Sequence, residues 1–473
     1  MKKMLQKGGA SKPKAADESP KDWEELLVLV KVKGKKRIAK TAPNVTVILR
    51  HHPNWHGIIA YDEFLETIVT TRAPPWCEVD APAGAQPGPW TDEDSARTVN
   101  WLAREMDVGV STKIVEQALS VVADTRRVHP VRDWLRGQRW DRRRRLDRLV
   151  PDYLGGADTE YTRAVGPKWM ISAVARVERP GCQADYALIT ESPEQGRRKS
   201  SAFRAMVPVP SWYSETPINI GDKDSYQNLR GVWLYGLDEL DSVRRGEATK
   251  TKTFLTATRD RYRPSYARRA RDFPRQNVFS GTTNEEEYFT DRRNRRYWPV
   301  RVARANVRAI ERDRPQLWAE ARYRFEHGEK WWPDAALERL CAAEQADRVQ
   351  PDDWQRPVET WCRKNDDGDG VYTFDVLTKA LRMERDKVTR AHSMRVADVL
   401  RAVGYERGER EREGGRVAGR DGRRQLRRYV LANAKERKAQ TARFAKAKAK
   451  AEADAKAKAE AAGKAKAKAK GRH

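Results

Sequence analysis

The chain contains 473 residues, which is too long for one ordinary domain and predicts two to four domains. Lysine and arginine number 95 against 68 aspartates and glutamates, a formal net charge of +27 that favours a polyanionic partner such as nucleic acid. No apolar run approaches the roughly 18 residues of a membrane-spanning helix, and the basic N-terminus lacks the apolar centre of a signal peptide, so no membrane role is expected.

The cysteines are scattered along the chain, at Cys77, Cys182, Cys341 and Cys362. None of them has the C-x-x-C spacing of structural zinc, and so wide a scatter does not suggest a disulfide framework. We therefore expect a reducing, cytoplasmic location.

Residues 1–22 are predicted to be a disordered basic tail, and residues 23–128 a small mixed or helical accessory domain. Within that domain we predict a strand at Val45–Leu49 and amphipathic helices at Ser95–Met106 and Thr112–Val122. The histidine-rich segment around Trp55 lacks a carboxylate or thiolate at a metal-site spacing. A turn packed over Trp55 is therefore favoured over a metal site.

Four consecutive arginines, Arg142 to Arg145, follow Trp140-Asp141. Such a run is typical either of a solvated face or of a phosphate contact, and the sequence does not separate these two interpretations. Beyond it, helices are predicted at Tyr161–Gly166 and Trp169–Arg176.

A short apolar run from Tyr186 to Ile189 leads into a polar loop that ends in Lys199-Ser200-Ser201, and a helix is predicted over Ala202–Met206. Strand, basic loop, Lys-Ser and helix are the layout of a phosphate-binding loop, where loop amides and the helix N-terminus face an anion. The lysine reaches the outer phosphates and the hydroxyl binds Mg²⁺. Two glycine positions of the G-x-x-x-x-G-K-[ST] pattern hold Pro193 and Arg198, so the loop alone is a weak signal.

Polar residues also follow the next apolar runs. A buried strand predicted at Gly231–Leu237 ends in Asp238-Glu239, and acids in this position suit the water shell of Mg²⁺ and the attacking water. A further run, Asn277–Ser280, leads to Thr283-Asn284, which places an amide at another strand tip. Several arginines in Asp291–Arg296 come just before one more strand.

The order of these pieces predicts the fold. Lys-Ser, Asp-Glu, Thr-Asn and Arg-Arg at successive strands supply what a Mg-ATP site of the AAA+ kind needs: phosphate binding, metal, a water sensor and a charge-stabilising arginine. Each piece alone also fits a helix cap, a turn or a basic surface loop. We therefore predict an α/β fold with a P-loop NTPase core of the AAA+ kind at residues 129–345.

A set of short segments also follows one family's pattern: His129-Pro130-Val131-Arg132, Trp140-Asp141, Pro180-Gly181-Cys182, Glu194-Gln195-Gly196, Lys199-Ser200, Trp233, Glu239-Leu240-Asp241, Asp260 to Tyr266, Pro274-Arg275-Gln276, Gly281 to Asn284 and Asn294 to Pro299. Together they resemble the virulence-associated E family of phage and plasmid replication proteins. The resemblance covers roughly residues 45–430 and is densest from 129 to 302. It implies a P-loop ATPase related to superfamily 3 helicases, with a superfamily 3 helicase-like fold, that acts in the replication of mobile DNA. Such proteins often act beside or fused to a primase, so a primase or another replisome protein is an implied partner.

The resemblance also implies the ligands, ATP and Mg²⁺. The implied nucleotide-binding residues are Glu194, Gln195, Gly196, Arg197, Arg198, Lys199, Ser200 and Ser201. Lys199 would bind the β- and γ-phosphates, and Ser200 would bind Mg²⁺ together with Asp238 and Glu239, partly through water.

The implied catalytic residues are Asp238, Glu239, Asn284, Arg295 and Arg296. Asn284 would sense the γ-phosphate. Arg295 or Arg296 would act in trans across a subunit interface, which implies a homo-oligomer such as a hexameric ring.

The phosphate loop departs from the family in places. Arg198 stands where the family usually has glycine, and a non-glycine residue forced to positive φ costs roughly 1–2 kcal/mol. Pro193 removes an amide donor, and Gly236 replaces an acid. These departures bear on turnover more than on nucleotide binding, because Lys199 and Ser200 are retained.

Residues 353–431 are predicted to form a winged-helix-like domain. Its predicted helices are Val358–Lys364, Thr373–Leu381 and Lys387–Val403, and a basic hairpin around Gly414-Gly415 follows. The third helix carries Arg390, His392 and Arg395, which suit a DNA major groove. A winged helix that contacts protein is the alternative.

Residues 432–473 are predicted to be a disordered Lys/Ala-rich tail, since alternating lysines leave no apolar stripe. We expect an ATP-dependent, helicase-like replication protein that binds single-stranded or duplex DNA and mainly contacts the DNA backbone. The arginines from Arg259 to Arg271 are a further candidate contact. The alternatives are a non-hydrolysing initiator and an interaction protein that redirects a replisome.

Overall fold

The structure is a computed structural model that describes residues 22–76, 88–218, 223–238, 251, 253–263, 269–289, 294–367, 370–408, 428–433 and 438. The chain divides into two compact units, residues 1–349 and 350–473. Among the described residues, no helix is long and apolar enough to cross a membrane. The cysteines described, Cys182, Cys341 and Cys362, are free thiols.

The first unit begins with a small mixed subdomain. Its elements are β1 (Leu29–Val32), β2 (Lys35–Ile38), α1 (Ala42–His51), β3 (Ile59–Asp62), β4 (Thr67–Thr70), α2 (Asp92–Met106), α3 (Thr112–Thr125) and β5 (Arg127–Val128). β1 and β2 form an antiparallel ribbon, and β3 lies between β4 and β5 in a second small sheet. Both predicted helices are confirmed, with Trp101 and Leu102 buried on one and Val115 buried on the other.

The predicted strand at Val45–Leu49 is wrong, because this segment lies inside α1. Val45, Ile48 and Leu49 have helical spacing on one face and are fully buried in the subdomain core. Burial of this apolar face outweighs the β preference of the branched residues. The turn after α1 covers Trp55, which is completely buried as predicted.

Two helices then lead to the central sheet, α4 (Pro130–Gly137) and α5 (Glu160–Glu178). The sequence predicted a break near Gly166-Pro167, but α5 runs through it as one helix. Pro167 removes one backbone hydrogen bond. Its neighbours Val165 and Trp169 are fully buried, and Gly166 lets Leu149 approach closely, so core packing holds the helix together.

The core of the first unit is a parallel sheet of five strands. Its strands are β6 (Ala187–Glu191), β7 (Tyr213–Ser214), β8 (Leu234–Asp238), β11 (Val278–Thr283) and β12 (Tyr297–Arg301). Their order across the sheet is β12-β6-β11-β8-β7, and every neighbouring pair is parallel. β11 thus lies between β6 and β8, the strands that carry the predicted loop and the predicted acids.

Both faces of this sheet are buried, as is typical of parallel sheets. Along β6, Leu188 packs into one hydrophobic cluster and Ala187 and Ile189 into another. The helices beside the sheet include α6 (Lys199–Met206), α7 (Lys223–Gln227), α8 (Val307–Glu326) and α9 (Ala335–Ala346). α8 begins at Val307, because Asn306 caps its N-terminus by accepting from the amide of Ala309.

An antiparallel ribbon lies between β8 and β11 in the chain. It consists of β9 (Arg259–Tyr262) and β10 (Arg271–Pro274). β9 alternates strictly, with Arg259 and Arg261 exposed and Asp260 and Tyr262 buried. The ribbon therefore presents arginines on one face and packs its other face against the unit.

The second unit has its own hydrophobic cluster. Its elements are α10 (Gln355–Asn365), β13 (Val371–Tyr372), α11 (Thr373–Asp375) continued by a π-helical turn at Val376–Ala380, α12 (Arg390–Ala402), β14 (Tyr405–Arg407) and β15 (Arg428–Leu431). β15 lies between β13 and β14 in an antiparallel sheet. The predicted hairpin residues Gly414-Gly415 lie outside the described residues, as does the Lys/Ala-rich tail from residue 439 onward.

Candidate functional site

The candidate site is centred on Lys199, the first residue of α6. This lysine is buried, and its ammonium donates to the carbonyl oxygens of Ser192 at 3.1 Å and Thr283 at 2.6 Å. It also donates to Asn284 Oδ1 at 2.7 Å. The structure therefore brings together two residues that the sequence assigned to one site, Lys199 and Asn284.

The sheet topology explains this meeting. Parallel strands end at one edge, and Thr283 of β11 is in register with Glu191 of β6. On the other side of β11, Thr282 is in register with Asp238, the last residue of β8. Neighbouring strands are about 4.8 Å apart, so the backbone of Asp238 lies beside the strand that carries the Lys199 contacts. Glu239 is outside the described residues.

The loop between β6 and α6 has a backbone suited to an anion. Gly196 has φ 75° and Arg198 has φ 60°, with Arg197 at negative φ between them. Alternating hands of φ turn successive amides toward one side and form an anion-binding concavity. Ser200 and Ser201 add first-turn amides that have no acceptor within the helix.

The two arginines of the loop differ in their contacts and in their exposure to solvent. Arg197 forms an ion pair with Glu194, and the backbone carbonyl of Arg197 accepts from the amide of Ala305 at 3.1 Å. Arg198 is exposed at the N-cap of α6 and has the positive φ that its replacement of glycine implied. Pro193 and Gln195 are also exposed. Arg198 is thus the loop arginine that faces solvent next to the amide concavity.

The sequence missed a buried acid at the end of β6. Glu191 is 2% exposed and accepts from Arg348 through Nε at 3.0 Å and Nη2 at 2.7 Å. Tyr288 donates its hydroxyl to the same carboxylate at 2.9 Å. The sequence does contain one signal for Glu191, because this acid ends an apolar run directly before the loop. The partner Arg348 is 157 residues away, so nothing local pointed to it.

One family model matches the part of the chain that holds this site. Residues 135–350 match the family model of the virulence-associated protein E-like domain. This likeness covers less than half of the 473 residues of the chain. The match confirms the resemblance drawn from the sequence and includes the whole candidate site, from the β6 loop to Arg348.

The chain also has distant likenesses among solved structures. The apo structure of NrS-1 C terminal region (305-718) matches with a TM-score of 0.43 and 9% identity, covering 79% of this chain and 96% of that one. Two A form apo structures of the NrS-1 C terminal region match with TM-scores of 0.35 and 0.36, at 9% and 10% identity. Each of them covers 63% of this chain and 78% of its own. No curated protein matches the chain.

Within the virulence-associated protein E-like domain, Arg295 and Arg296 lie at the other edge of the sheet from Lys199. They precede β12, and the carbonyl of Arg296 accepts from Ala187, the first residue of β6. A strand of five residues spans about 16 Å, so both arginines are well separated from the Lys199 edge of their own chain. Arg292 and Arg293 are outside the described residues.

The arginines predicted for DNA contact differ between the two units. On the β9–β10 ribbon Arg259 and Arg261 are exposed, and Asp272 is 3.9 and 3.8 Å from them. In the second unit, Arg390 is exposed at the start of α12.

Two other residues of α12 are engaged within the second unit. Arg395 forms a bidentate pair with Asp352 at 2.8 and 2.9 Å and lies 4.0 Å over the ring of Trp354. His392 completes a capping box with Thr389. Arg395 and His392 therefore stabilise the unit itself, whereas Arg390 faces solvent.

Proposed function

We propose that this chain is an ATP-dependent DNA-replication protein of a mobile genetic element, with a helicase-like P-loop ATPase core of the AAA+ or superfamily 3 kind. The observation that carries the proposal is the contact of Lys199 with Asn284 at the carboxyl edge of the sheet. The virulence-associated protein E-like match supports the mobile-element role.

The strand order supports the ATPase part of the proposal. β11 separates the loop strand β6 from the acid-bearing strand β8. Asn284 can therefore stand between the phosphate loop and the acids, where a γ-phosphate and an attacking water would meet. A sheet with β6 and β8 adjacent would leave no strand tip at that position.

The residues of the loop fit a nucleotide triphosphate with Mg²⁺. When bound, this ligand supplies the phosphoanhydride bond that is cleaved and a cation that neutralises its oxygens. Lys199 exchanges its carbonyl partners for the β- and γ-phosphates. The amides from Gly196 to Ser201 would hold phosphate oxygens, and the hydroxyl of Ser200 would bind the metal. Asp238 and Glu239 would hold the metal through water and orient the attacking water.

DNA contact is assigned to surfaces that carry exposed arginines. The β9–β10 ribbon presents Arg259 and Arg261 from the segment between β8 and β11, so nucleotide-dependent changes at those strand tips can move it. The second unit has the element order helix, strand, helix, helix, strand, strand, with the last strand in the middle of its sheet. This order supports a winged helix, with Arg390 as its exposed cation.

The proposal is tested by DNA-stimulated ATP hydrolysis of the full chain. We expect Lys199→Ala to abolish nucleotide binding and hydrolysis, and Glu239→Gln to retain binding but lose hydrolysis. Lys379→Ala, at an exposed lysine of the second unit, serves as the control and should behave as wild type. Hydrolysis by the wild type no faster than by Lys199→Ala, with DNA binding intact, would show that the chain is not an ATPase.

A second candidate function is a nucleotide-binding initiator that does not hydrolyse ATP. It is favoured by the three hydrogen bonds that already hold Lys199 and by the strained backbone at Arg198. Nucleotide binding that depends on Lys199, together with no turnover even with DNA present, would establish it.

A further inference from the structure

The run of arginines after Trp140 lies beside a stack of aromatic rings on the first unit. The ring of Trp140 is 4.7 Å from that of Tyr323, and Tyr323 stacks on His327 at 3.8 Å. Tyr323 is 41% exposed, and His327 is exposed as well. Three aromatic rings thus form a ladder that reaches solvent near the C-terminal end of α8.

The loop that carries the arginines is firmly held against α8. Glu320 is fully buried and accepts from the amides of Arg145 at 2.6 Å and Leu146 at 3.1 Å. Gln316 accepts from the amide of Asp141 and donates to the carbonyl of Arg139. The other oxygen of Glu320 accepts from Arg324 at 2.6 Å, so the buried charge is balanced while the carboxylate holds the loop amides in place. This segment is therefore a fixed surface.

The charges on the loop are of two kinds. Arg145 is neutralised by a bidentate pair with Asp141 at 2.8 and 2.7 Å. Arg139, Arg142, Arg143 and Arg144 are exposed, and none of these four forms an ion pair with any residue that the structure describes. Arg142 has φ 66°, which bends the chain so that successive arginines project from one loop.

We infer that this surface, the Trp140–Tyr323–His327 ladder with Arg139 and Arg142 to Arg144, is a binding site for single-stranded nucleic acid. Unpaired bases stack on the rings, while the arginines hold the phosphates. Aromatic rings interleaved with cations are what single-strand sites use, because every base has a face to stack and every nucleotide has a charge to neutralise. In a duplex each base is already stacked on the neighbouring bases, so no base face is free to stack on the aromatic rings.

The site is separate from the nucleotide loop. That loop contacts the start of α8, where Ala305 donates to the carbonyl of Arg197. Tyr323 lies 16 residues beyond Val307, which is about 24 Å along the helix. The inference depends on the nucleic-acid partner in the proposed function but not on its ATP chemistry.

The test measures binding of a fluorescent oligothymidylate and of a duplex of equal length to the full chain, without nucleotide, over a range of salt. The triple variant Arg142→Ala/Arg143→Ala/Arg144→Ala should flatten the salt dependence for the single strand by about 2 log units per log unit, because each lost phosphate contact is worth about 0.7. Alanine adds no backbone strain at position 142, since arginine already carries a β-carbon there.

The aromatic part is tested with Trp140→Ala/Tyr323→Ala. This variant should bind the single strand about fivefold or more weakly with an unchanged salt slope, because stacking is not a counterion effect. Duplex binding should change less than twofold. Thermal unfolding by circular dichroism checks that each variant is folded.

A charge-matched control removes three exposed cations elsewhere on the first unit, Lys113→Ala/Arg308→Ala/Arg339→Ala. The inference is wrong if the Arg142–Arg144 variant weakens single-strand binding no more than this control, or if the aromatic variant binds both DNAs as wild type does. ATP hydrolysis without DNA should be unchanged in all these variants. If the wild type hydrolyses no ATP but the site variants lose single-strand binding, only the proposed ATPase is wrong. If the wild type hydrolyses ATP but the site variants bind DNA as it does, only this site is wrong.

Discussion

Lys199 and Asn284 are 85 residues apart in the chain, yet the lysine ammonium donates to Asn284 Oδ1 at 2.7 Å. The same ammonium donates to two backbone carbonyls, at 3.1 and 2.6 Å. An ammonium has three protons to donate, so all of them are already used. A phosphate that binds Lys199 must therefore replace protein hydrogen bonds, and Asn284 is the side chain that competes with it.

This competition predicts a specific effect of Asn284→Ala. Nucleotide affinity should stay within about threefold of wild type or improve, because one competitor for Lys199 is lost. Hydrolysis should fall about a hundredfold, the usual cost of removing one donor that acts in the transition state. Equilibrium nucleotide binding and steady-state hydrolysis measure the two effects.

The matched control is Asn54→Ala at an exposed asparagine of the accessory subdomain, which should leave both quantities unchanged. A parallel loss of affinity and hydrolysis in Asn284→Ala would mean that Asn284 serves to position the loop, and would contradict a role in sensing the γ-phosphate.

The backbone at Arg198 supports a prediction about stability. At φ 60° a β-carbon costs roughly 1–2 kcal/mol, whereas glycine is at ease there. Glycine also gains freedom in the unfolded chain, which offsets part of the benefit. Arg198→Gly should therefore raise the free energy of unfolding by about 0.5–1 kcal/mol in urea titrations.

Two further variants test whether the strained backbone at position 198 is the cause of this gain. Arg198→Ala keeps the β-carbon, so it should give no such gain. Arg197→Gly changes a residue at negative φ and should destabilise the chain. Equal stabilisation by Arg198→Gly and Arg198→Ala would show that the charge of Arg198, rather than its backbone, is the source of the effect.

The sequence was informative wherever function depends on strand ends. Polar residues after successive apolar runs marked Lys199 and Asn284, and they meet because parallel strands end at a common edge. The same pattern led to Arg295 and Arg296, but these precede their strand and so lie at the opposite edge. A position in the chain does not by itself say which end of a strand a residue occupies.

Long-range packing could not be predicted in the same way. Val45–Leu49 has strand-forming residues, yet it forms a helix because its apolar side chains have helical spacing and pack together in the core. The pair of Glu191 with Arg348 joins residues on elements whose adjacency the sequence does not state. Arg395 was predicted to contact DNA, but Asp352 and Trp354 hold it, and neither neighbour could be inferred without the fold.

The buried pair of Glu191 and Arg348 predicts a large loss on single substitution. Arg348→Met leaves a carboxylate that is 2% exposed without its hydrogen-bonded cation, which typically costs 3–5 kcal/mol. The remaining guanidinium, that of Arg301, is mostly exposed and 3.9 Å away, so it offsets little of this loss. The double variant Glu191→Leu/Arg348→Met removes both charges and should recover most of that loss. Urea unfolding of both variants measures this recovery.

The control for this pair is Arg363→Met, which breaks the exposed pair of Arg363 with Glu359 and should cost less than about 1 kcal/mol. If the double variant is as unstable as Arg348→Met, then the packing of the arginine stem, and not the unpaired charge, accounts for the loss.

Glu66 predicts the pH dependence of stability. It lies at the β3–β4 turn, with Oε2 3.4 Å from Nε of Arg230, whose guanidinium lies 4.1 Å over the ring of Phe273. Burial raises the pKa of Glu66 from 4.5 to about 7, although Arg230 opposes the shift. Between these two values the folded chain holds a proton that the unfolded chain has released, so stability falls as pH rises from about 4.5 to 7.

Glu66→Gln should remove this dependence, because glutamine does not ionise and has nearly the same shape as glutamate. Relative to wild type, the variant should gain stability at pH 8, where the native carboxylate is charged, and gain little at pH 5, where it is protonated. Unfolding by differential scanning calorimetry at the two pH values measures the difference, and Glu116→Gln on the exposed face of α3 controls for a general loss of negative charge. A variant that is less stable at pH 8 than at pH 5, relative to wild type, would mean that the ion pair with Arg230 outweighs the cost of burying the carboxylate.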